Sequence, residues 1–159
     1  MSKIENYRSR THMLLLYPED LTHRKAYETI QKTYDYASIL HNKDVTEDGE
    51  IKKEHWHVVI RFNQPRWRSA LCKDLGIAEY YMEEVKKFDN ALQYLIHYND
   101  TDKAQYDINE VQGPLKVRLV ESLNKLEKGE GERVVELLQF IENRDKPITV
   151  TEFASFCAR

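Results

Sequence analysis

His41 and Asp44 in "LHNKD" and His55 and His57 in "KKEHWHVVIRF" are side chains of the right types, closely enough spaced, to hold a divalent cation. In a strand, side chains alternate, so His55 and His57 leave one face while Trp56 leaves the other. Imidazole with carboxylate suits borderline to hard ions such as Mn, Zn, Ni or Co. The lack of thiolates argues against a closed structural zinc site and leaves a position open for a substrate oxygen. Any one of these histidines is readily explained as a solvated or hydrogen-bonded residue, but a pair on one strand face with His41 and Asp44 folded onto it is not. Further along, "FDNALQYLIHY" reads as a helix over 88–98 with a packing stripe of Phe88, Ala91, Leu92 and Leu95. Tyr94 falls off that stripe, on a flank shared with Asn90, His97 and Tyr98. A metal beside a tyrosine suggests phosphoryl transfer. About one free tyrosine in a thousand is phenolate at neutral pH, a deficit of ~4 kcal/mol that a base or metal must make up.

The elements that position these groups can be read from pattern. "THMLLLYPED" is a short apolar run stopped by Pro18 and reads as a buried strand. Residues 22–32 carry Ala26, Tyr27 and Ile30 on one helical face. "YDYASIL" reads as a second strand, and Asp48-Gly49 is the strongest hairpin signal in the chain. An antiparallel pairing around that turn brings His41 and Asp44 back toward His55 and His57. Beyond Pro65, Trp67, Ala70, Leu71 and Leu75 have helical spacing, with Gly76 as the C-terminal cap. "EYYMEEV" is expected as a strand. From Gly113 the pattern becomes helical: Leu115, Leu119, Leu123 and Leu126 mark one helix after Pro114, and Val134, Leu137, Leu138 and Ile141 a second. A Thr149–Glu152 capping box opens a third, carrying Phe153, Phe156 and Cys157. The expected organisation is a main α+β domain over 1–112 and a helical region over 113–159 that is part of a longer oligomerisation domain.

Composition bounds the function. A chain of 159 residues with 41% hydrophobic residues and few Gly and Pro encloses one main core. No apolar run approaches the roughly 20 residues of a membrane span, and the start has no secretory pattern, so a cytoplasmic location without membrane contact is expected. Cys72 and Cys157 form no disulfide framework or metal motif. A net charge of −3 gives no general reason to expect a nucleic-acid partner. Basic residues do gather locally, at Arg8 and Arg10, Lys52 and Lys53, Arg66 and Arg68, and Lys86 and Lys87.

A His-hydrophobe-His strand, "HWH", followed after one helix and one strand by "YLIH", resembles the HUH endonucleases. With "LLYPED", "LHNKD" and "KKEHWHVV", the chain from Arg8 to Tyr106 is similar to the small rolling-circle replication initiators of bacterial plasmids and related phages. The resemblance implies a ferredoxin-like HUH fold, metal ligands His41, Asp44, His55 and His57, and Tyr94 as nucleophile. It also implies a cofactor that is Mn, with Mg, Co, Ni or Zn as alternatives. His97 occupies the position where eukaryotic viral relatives carry lysine and is expected to orient the tyrosine or shuttle its proton. Lys52, Lys53, Arg66 and Arg68 are expected to contact the backbone of origin DNA. The implied reaction nicks single-stranded origin DNA, leaving a 5′-phosphotyrosine and a free 3′-hydroxyl. The sequence lacks GxxxxGK[ST], so unwinding falls to a host helicase, synthesis to a host polymerase, and homo-oligomers are expected of the full-length protein. Three other readings stay open. One is a relaxase or single-tyrosine transposase, with Tyr7 or Tyr17 as relaxase nucleophile; the second is a non-catalytic DNA-binding regulator; the third is a hydrolase of small phosphorylated substrates.

Overall fold

The computed structural model describes residues 5–128. Strands β1 (Arg8–Leu16), β2 (Asp35–His41), β3 (His55–Trp67) and β4 (Met82–Glu84) form one antiparallel sheet, in the order β2-β3-β1-β4. Helices α1 (Leu21–Thr33), α2 (Arg68–Leu75), α3 (Phe88–Tyr94) and α4 (Lys116–Lys128) flank it. This is the α+β architecture expected of the sequence. The second and third C-terminal helices expected from the sequence, with the Thr149–Glu152 capping box and Cys157, fall outside the described residues.

Period-two alternation divides the sheet into two faces. Leu14, Leu16, Val58 and Ile60 pack with Ala26 and Ile30 of α1 and Leu71 of α2. Ala37, Ile39 and Val59 pack on the other face with Leu92 of α3 and Leu119, Val120 and Leu123 of α4. His41 continues the Ala37–Ile39 row, and His55 and His57 lead into Val59. All three imidazoles therefore lie on the α3/α4 face. Trp56 goes to the opposite face, stacked on Tyr27 of α1 at 4.1 Å between centroids. Because α4 shares its core cluster with the sheet, the boundary expected at 112/113 does not separate this helix from the α+β unit.

Several elements differ from the sequence expectation for identifiable reasons. β1 begins earlier and stops before Tyr17. β3 runs through Pro65 to Trp67, because Arg66 and Trp67 pair with Ser9 and Arg8 beyond a bulge in β3 itself. Pro65 falls where the register shifts, a place that needs no ladder donor. Only Met82–Glu84 of "EYYMEEV" is strand, preceded by a 3-10 turn at Glu79–Tyr81. Helix α3 stops at Tyr94 and not at Tyr98: Leu95, Ile96 and His97 bond back to Leu92, Gln93 and Tyr94 in tight turns. His97 then adopts φ 56°, as the one non-glycine residue with positive φ among the described residues.

The α4 entry is fixed by backbone. Gln112 exchanges hydrogen bonds with Ser38 at 2.8 and 2.9 Å, and the Leu115 N–H donates to the Tyr36 carbonyl at 3.0 Å. Between them Gly113 has φ +99°, and any Cβ there would run into the Tyr36 carbonyl oxygen and ring. Gly113→Ala is thus expected to lower unfolding free energy by about 2–4 kcal/mol, from strain plus overpacking. Urea denaturation of the two proteins measures this, and equal midpoints would contradict it.

Candidate active site

The β2–β3 register places His41 directly opposite His55 and Ile39 opposite His57. The connection folds back as the Asp48-Gly49 signal predicts, with Gly49 at φ 85° and Val45 bridged to Ile51. A hydrogen bond of 2.7 Å from the Lys52 N–H to the Asp44 carbonyl closes the arm beside the histidines. The result is a cluster in which His41, Asp44, His55 and His57 each offer a ligand atom, all within 4.8 Å of one another.

The hydrogen bonds around the cluster determine which atoms face it. The Nε2–H of His41 donates to the Leu95 carbonyl at 2.7 Å, and the Nδ1–H of His55 donates to the Lys53 carbonyl at 2.7 Å. A carbonyl can only accept, so each ring's proton is on that side and the opposite nitrogen carries a lone pair. Those lone pairs, His41 Nδ1 and His55 Nε2, lie 3.2 and 3.5 Å from the same oxygen, Asp44 Oδ2. At His41 the approach is close without being a hydrogen bond: its Nδ1 is buried with no hydrogen-bond partner, as is His57 Nδ1. Lone pairs aimed at a carboxylate with no proton between them repel, and a divalent cation held by these side chains would resolve that conflict. The donor set therefore fits a metal ion, with the Leu95 and Lys53 carbonyls orienting two of the ligands from behind.

Electrostatics keep the ligands ready to bind. Burial, reinforced by neighbouring imidazoles, depresses His57 to about 2. Burial also brings His41 down to about 4, although Leu95 and Asp44 pull the other way. Burial works to raise Asp44, but the Tyr106 hydroxyl and surrounding imidazoles outweigh it and hold the carboxyl below its usual range. Tyr106 is a site residue that sequence reasoning missed, since nothing distinguishes it among ten tyrosines. Its hydroxyl donates to Asp44 Oδ1 at 2.8 Å and accepts from the Lys43 N–H at 2.9 Å. Its ring stacks on His41 at 4.3 Å, and burial with the Asp44 contact pushes its own pKa up to about 12.

Tyr94, the last residue of α3, is half-buried and lines a cleft of about 540 Å³ together with Asp44, His55, His57 and Tyr17. Its ring meets His57 edge-on at 5.4 Å. Tyr17 is the other cleft tyrosine, whereas Tyr7 stacks on His12 and lies under the Arg68 guanidinium. His97, expected on an open flank beside Tyr94, is instead 1% exposed. Its Nδ1–H donates to the Ala104 carbonyl at 2.7 Å, and its ring packs between Tyr94 and His41.

The basic candidates separate. Lys52 and Lys53 line the cleft, although Lys53 is ion-paired with Glu19. Arg66 and Arg68 lie at the far end of β3 from the histidines. Arg66 is paired with Asp74 at 2.6 Å, and Arg68 is 4% exposed, with its guanidinium on the Glu5 carbonyl and 4.0 Å from Glu79. A phosphate contact by Arg68 is corrected on that ground, because its charged end points into the protein.

Residues 4–117 match the family model described as plasmid replication protein, origin binding domain. The chain belongs to this family. It is 36% identical over 101 residues to a replication protein of Onion yellows phytoplasma (strain OY-M), an alignment covering 53% of this chain and 27% of the relative. It is also 26% identical over 153 residues to the Replication protein RepB of Lactiplantibacillus plantarum, covering 94% of this chain and 68% of RepB. The origin-binding-domain match spans the whole sheet and every member of the histidine cluster. Among the described residues, no helix is long and apolar enough to cross a membrane.

Two outcomes follow from the geometry. Removing the Tyr106 hydroxyl frees Asp44 to turn, so Tyr106→Phe should weaken Mn or Co binding about 10- to 100-fold by calorimetry while leaving the fold intact. In metal-free protein, His41 and His57 have folded pKa values below the 6.5 of an ordinary histidine. The unfolded chain therefore binds more protons, and stability is lost as pH falls from about 6.5 toward 4 for His41 and toward 2 for His57. Urea unfolding should show about 2–4 kcal/mol less stability at pH 5 than at pH 7.5. Equal stability at the two pH values would contradict the burial of neutral imidazoles.

Proposed function

We propose that this domain binds single-stranded origin DNA of a plasmid and nicks it through Tyr94, as a rolling-circle replication initiator of the HUH type. The observation that carries the reading is the convergence of unprotonated lone pairs from His41 and His55 on Asp44, at the wall of the cleft that Asp44, His55 and Tyr94 line. His41, Asp44, His55 and His57 would hold the cation, with Mn the first candidate. When bound, it supplies Lewis-acid polarisation of a non-bridging phosphate oxygen.

The chain's own groups do the rest. Lys52 and Lys53 flank the cleft and attract the DNA backbone, which fixes register without reading sequence. The oxygen of Tyr94 forms a bond to phosphorus as the bond from phosphorus to the 3′-oxygen breaks. The 5′ end stays on the tyrosine and the freed 3′-hydroxyl becomes a primer. A phenol leaves more easily than an alcohol, so the phosphotyrosine link keeps the phosphate open to resealing. Host helicase and polymerase, and assembly of the full-length protein, complete the replication cycle under this proposal.

Incubation of wild-type protein with labelled origin single strand and Mn should give a covalent adduct that maps to Tyr94. Tyr94→Phe should bind the same strand with affinity within about threefold and give no adduct. An adduct formed by Tyr94→Phe would transfer the assignment to Tyr17, the other cleft tyrosine. Nicking without any adduct would favour hydrolysis.

A further inference from the structure

The turn over 98–105, between His97 and Tyr106, has no role in the proposed site so far, yet several side-chain-to-carbonyl hydrogen bonds tie it down. His97 enters it with φ 56° and fixes its far side by donating from Nδ1 to the Ala104 carbonyl at 2.7 Å. The Gln105 side-chain amide lies inside the turn, donating to the carbonyls of His97, Asp100 and Lys103 at 3.2, 3.0 and 3.0 Å. The Lys103 N–H closes a further turn onto the Asp100 carbonyl at 3.0 Å. A residue in left-handed backbone without being glycine is held there by its surroundings, and such strain gathers at sites where geometry matters.

The loop presents Lys103 to Tyr94. Its ammonium lies over the tyrosine ring, 5.0 Å from the centroid, and it shares a cleft with Asp44, Lys52 and Tyr94. Burial is the largest influence and opposes the charge on Lys103, but Tyr94, Asp100 and Asp102 together outweigh it and raise its pKa. The lysine thus places a cation beside the ring of the candidate nucleophile. His57, from the metal cluster, meets the same ring edge-on at 5.4 Å.

We infer that Lys103 is a catalytic residue that stabilises negative charge on the Tyr94 oxygen, and that His97 and Gln105 are positioning residues that hold its loop. This rests on the nicking reading and adds to it a group from outside the metal cluster. Lys103 keeps its proton throughout. In the forward step the bond from Tyr94 oxygen to phosphorus forms, the bond from phosphorus to the 3′-oxygen breaks, the phenol proton passes to water in the open cleft, and the 3′-oxygen takes one from water. In the reverse step Tyr94 is the leaving group, and the same ammonium offsets charge on its departing oxygen. His97, buried and committed to Ala104, acts in this scheme through the loop and not on the substrate.

The test uses the full 159-residue chain with Mn and a labelled origin single strand, following adduct formation and, from the isolated adduct, rejoining to a 3′-hydroxyl strand. Lys103→Met should slow both directions equally, by about ten- to a hundredfold, with Mn affinity and strand affinity within about threefold of wild type. Lys103→Arg should restore most of the rate, since a guanidinium can carry the same charge to the same oxygen. His97→Asn, in which asparagine tolerates the left-handed backbone, should also be slow. The double variant should be no slower than the slower single one, because both changes remove one interaction. Lys103 is exposed, so a circular-dichroism melt like that of wild type is expected and separates loss of chemistry from loss of fold. A Lys103→Met protein that reacts at the wild-type rate, or that loses only strand affinity, would overturn the inference. If wild-type protein itself gives no adduct, it is the nicking reading that fails.

Discussion

The constraint on which the molecule depends is the pairing of His41 with His55 across β2 and β3. One-residue slippage in either strand would send an entire row of side chains to the opposite face of the sheet. The slip would dismantle the cluster and the core together, since the row that ends in His41 begins with Ala37 and Ile39, and the row that starts at His55 runs into Val59. Hydrophobic burial along these rows therefore fixes the register that brings the imidazoles together. The turn at Gly49 and the Val45–Ile51 bridge do the remaining local work, returning Asp44 to the open end of the pair.

Two networks meet behind the site. On one side, Tyr106 stacks on His41 and holds Asp44 through its hydroxyl. On the other, the Leu95 and Lys53 carbonyls set the tautomers of His41 and His55. These partners come from the chain after α3, from its end and from the approach to β3, so distant segments must fold before the ligands are oriented. α4 contributes by burying Leu119, Val120 and Leu123 against the same sheet face. That packing explains why a helix expected to begin a separate region is part of the unit that supports the cluster.

Much of this was legible in the sequence, and the exceptions have physical causes. Alternation around "HWH" and the Asp48-Gly49 turn sufficed to bring His41, Asp44, His55 and His57 together, because strand parity and a tight turn with left-handed backbone at Gly49 leave little freedom. Tyr94 was separable from its packing stripe by helical spacing. Its helix was extended too far, however: local periodicity does not reveal that His97 will adopt left-handed backbone and turn its ring inward. Tyr106 and Lys103 were invisible because they reach the site from a loop whose path is set by side-chain-to-carbonyl hydrogen bonds. Arg68 looked like a surface cation in sequence, yet the end of β3 turns it over the Tyr7 ring and toward Glu5. Charge clusters in a sequence indicate where basic residues lie along the chain, and only the sheet determines which of them share an end with the histidines.

The contact between His41 and the Leu95 carbonyl joins the histidine cluster to the backbone one residue past Tyr94. One rigid imidazole thus spans the gap between the cation's seat and the backbone that carries the phenol. Any shift of the His41 ring is therefore felt at Leu95, one residue past the end of the helix that carries Tyr94. Under the proposed reading, exchanging one cation for another would reach the phenol by this route.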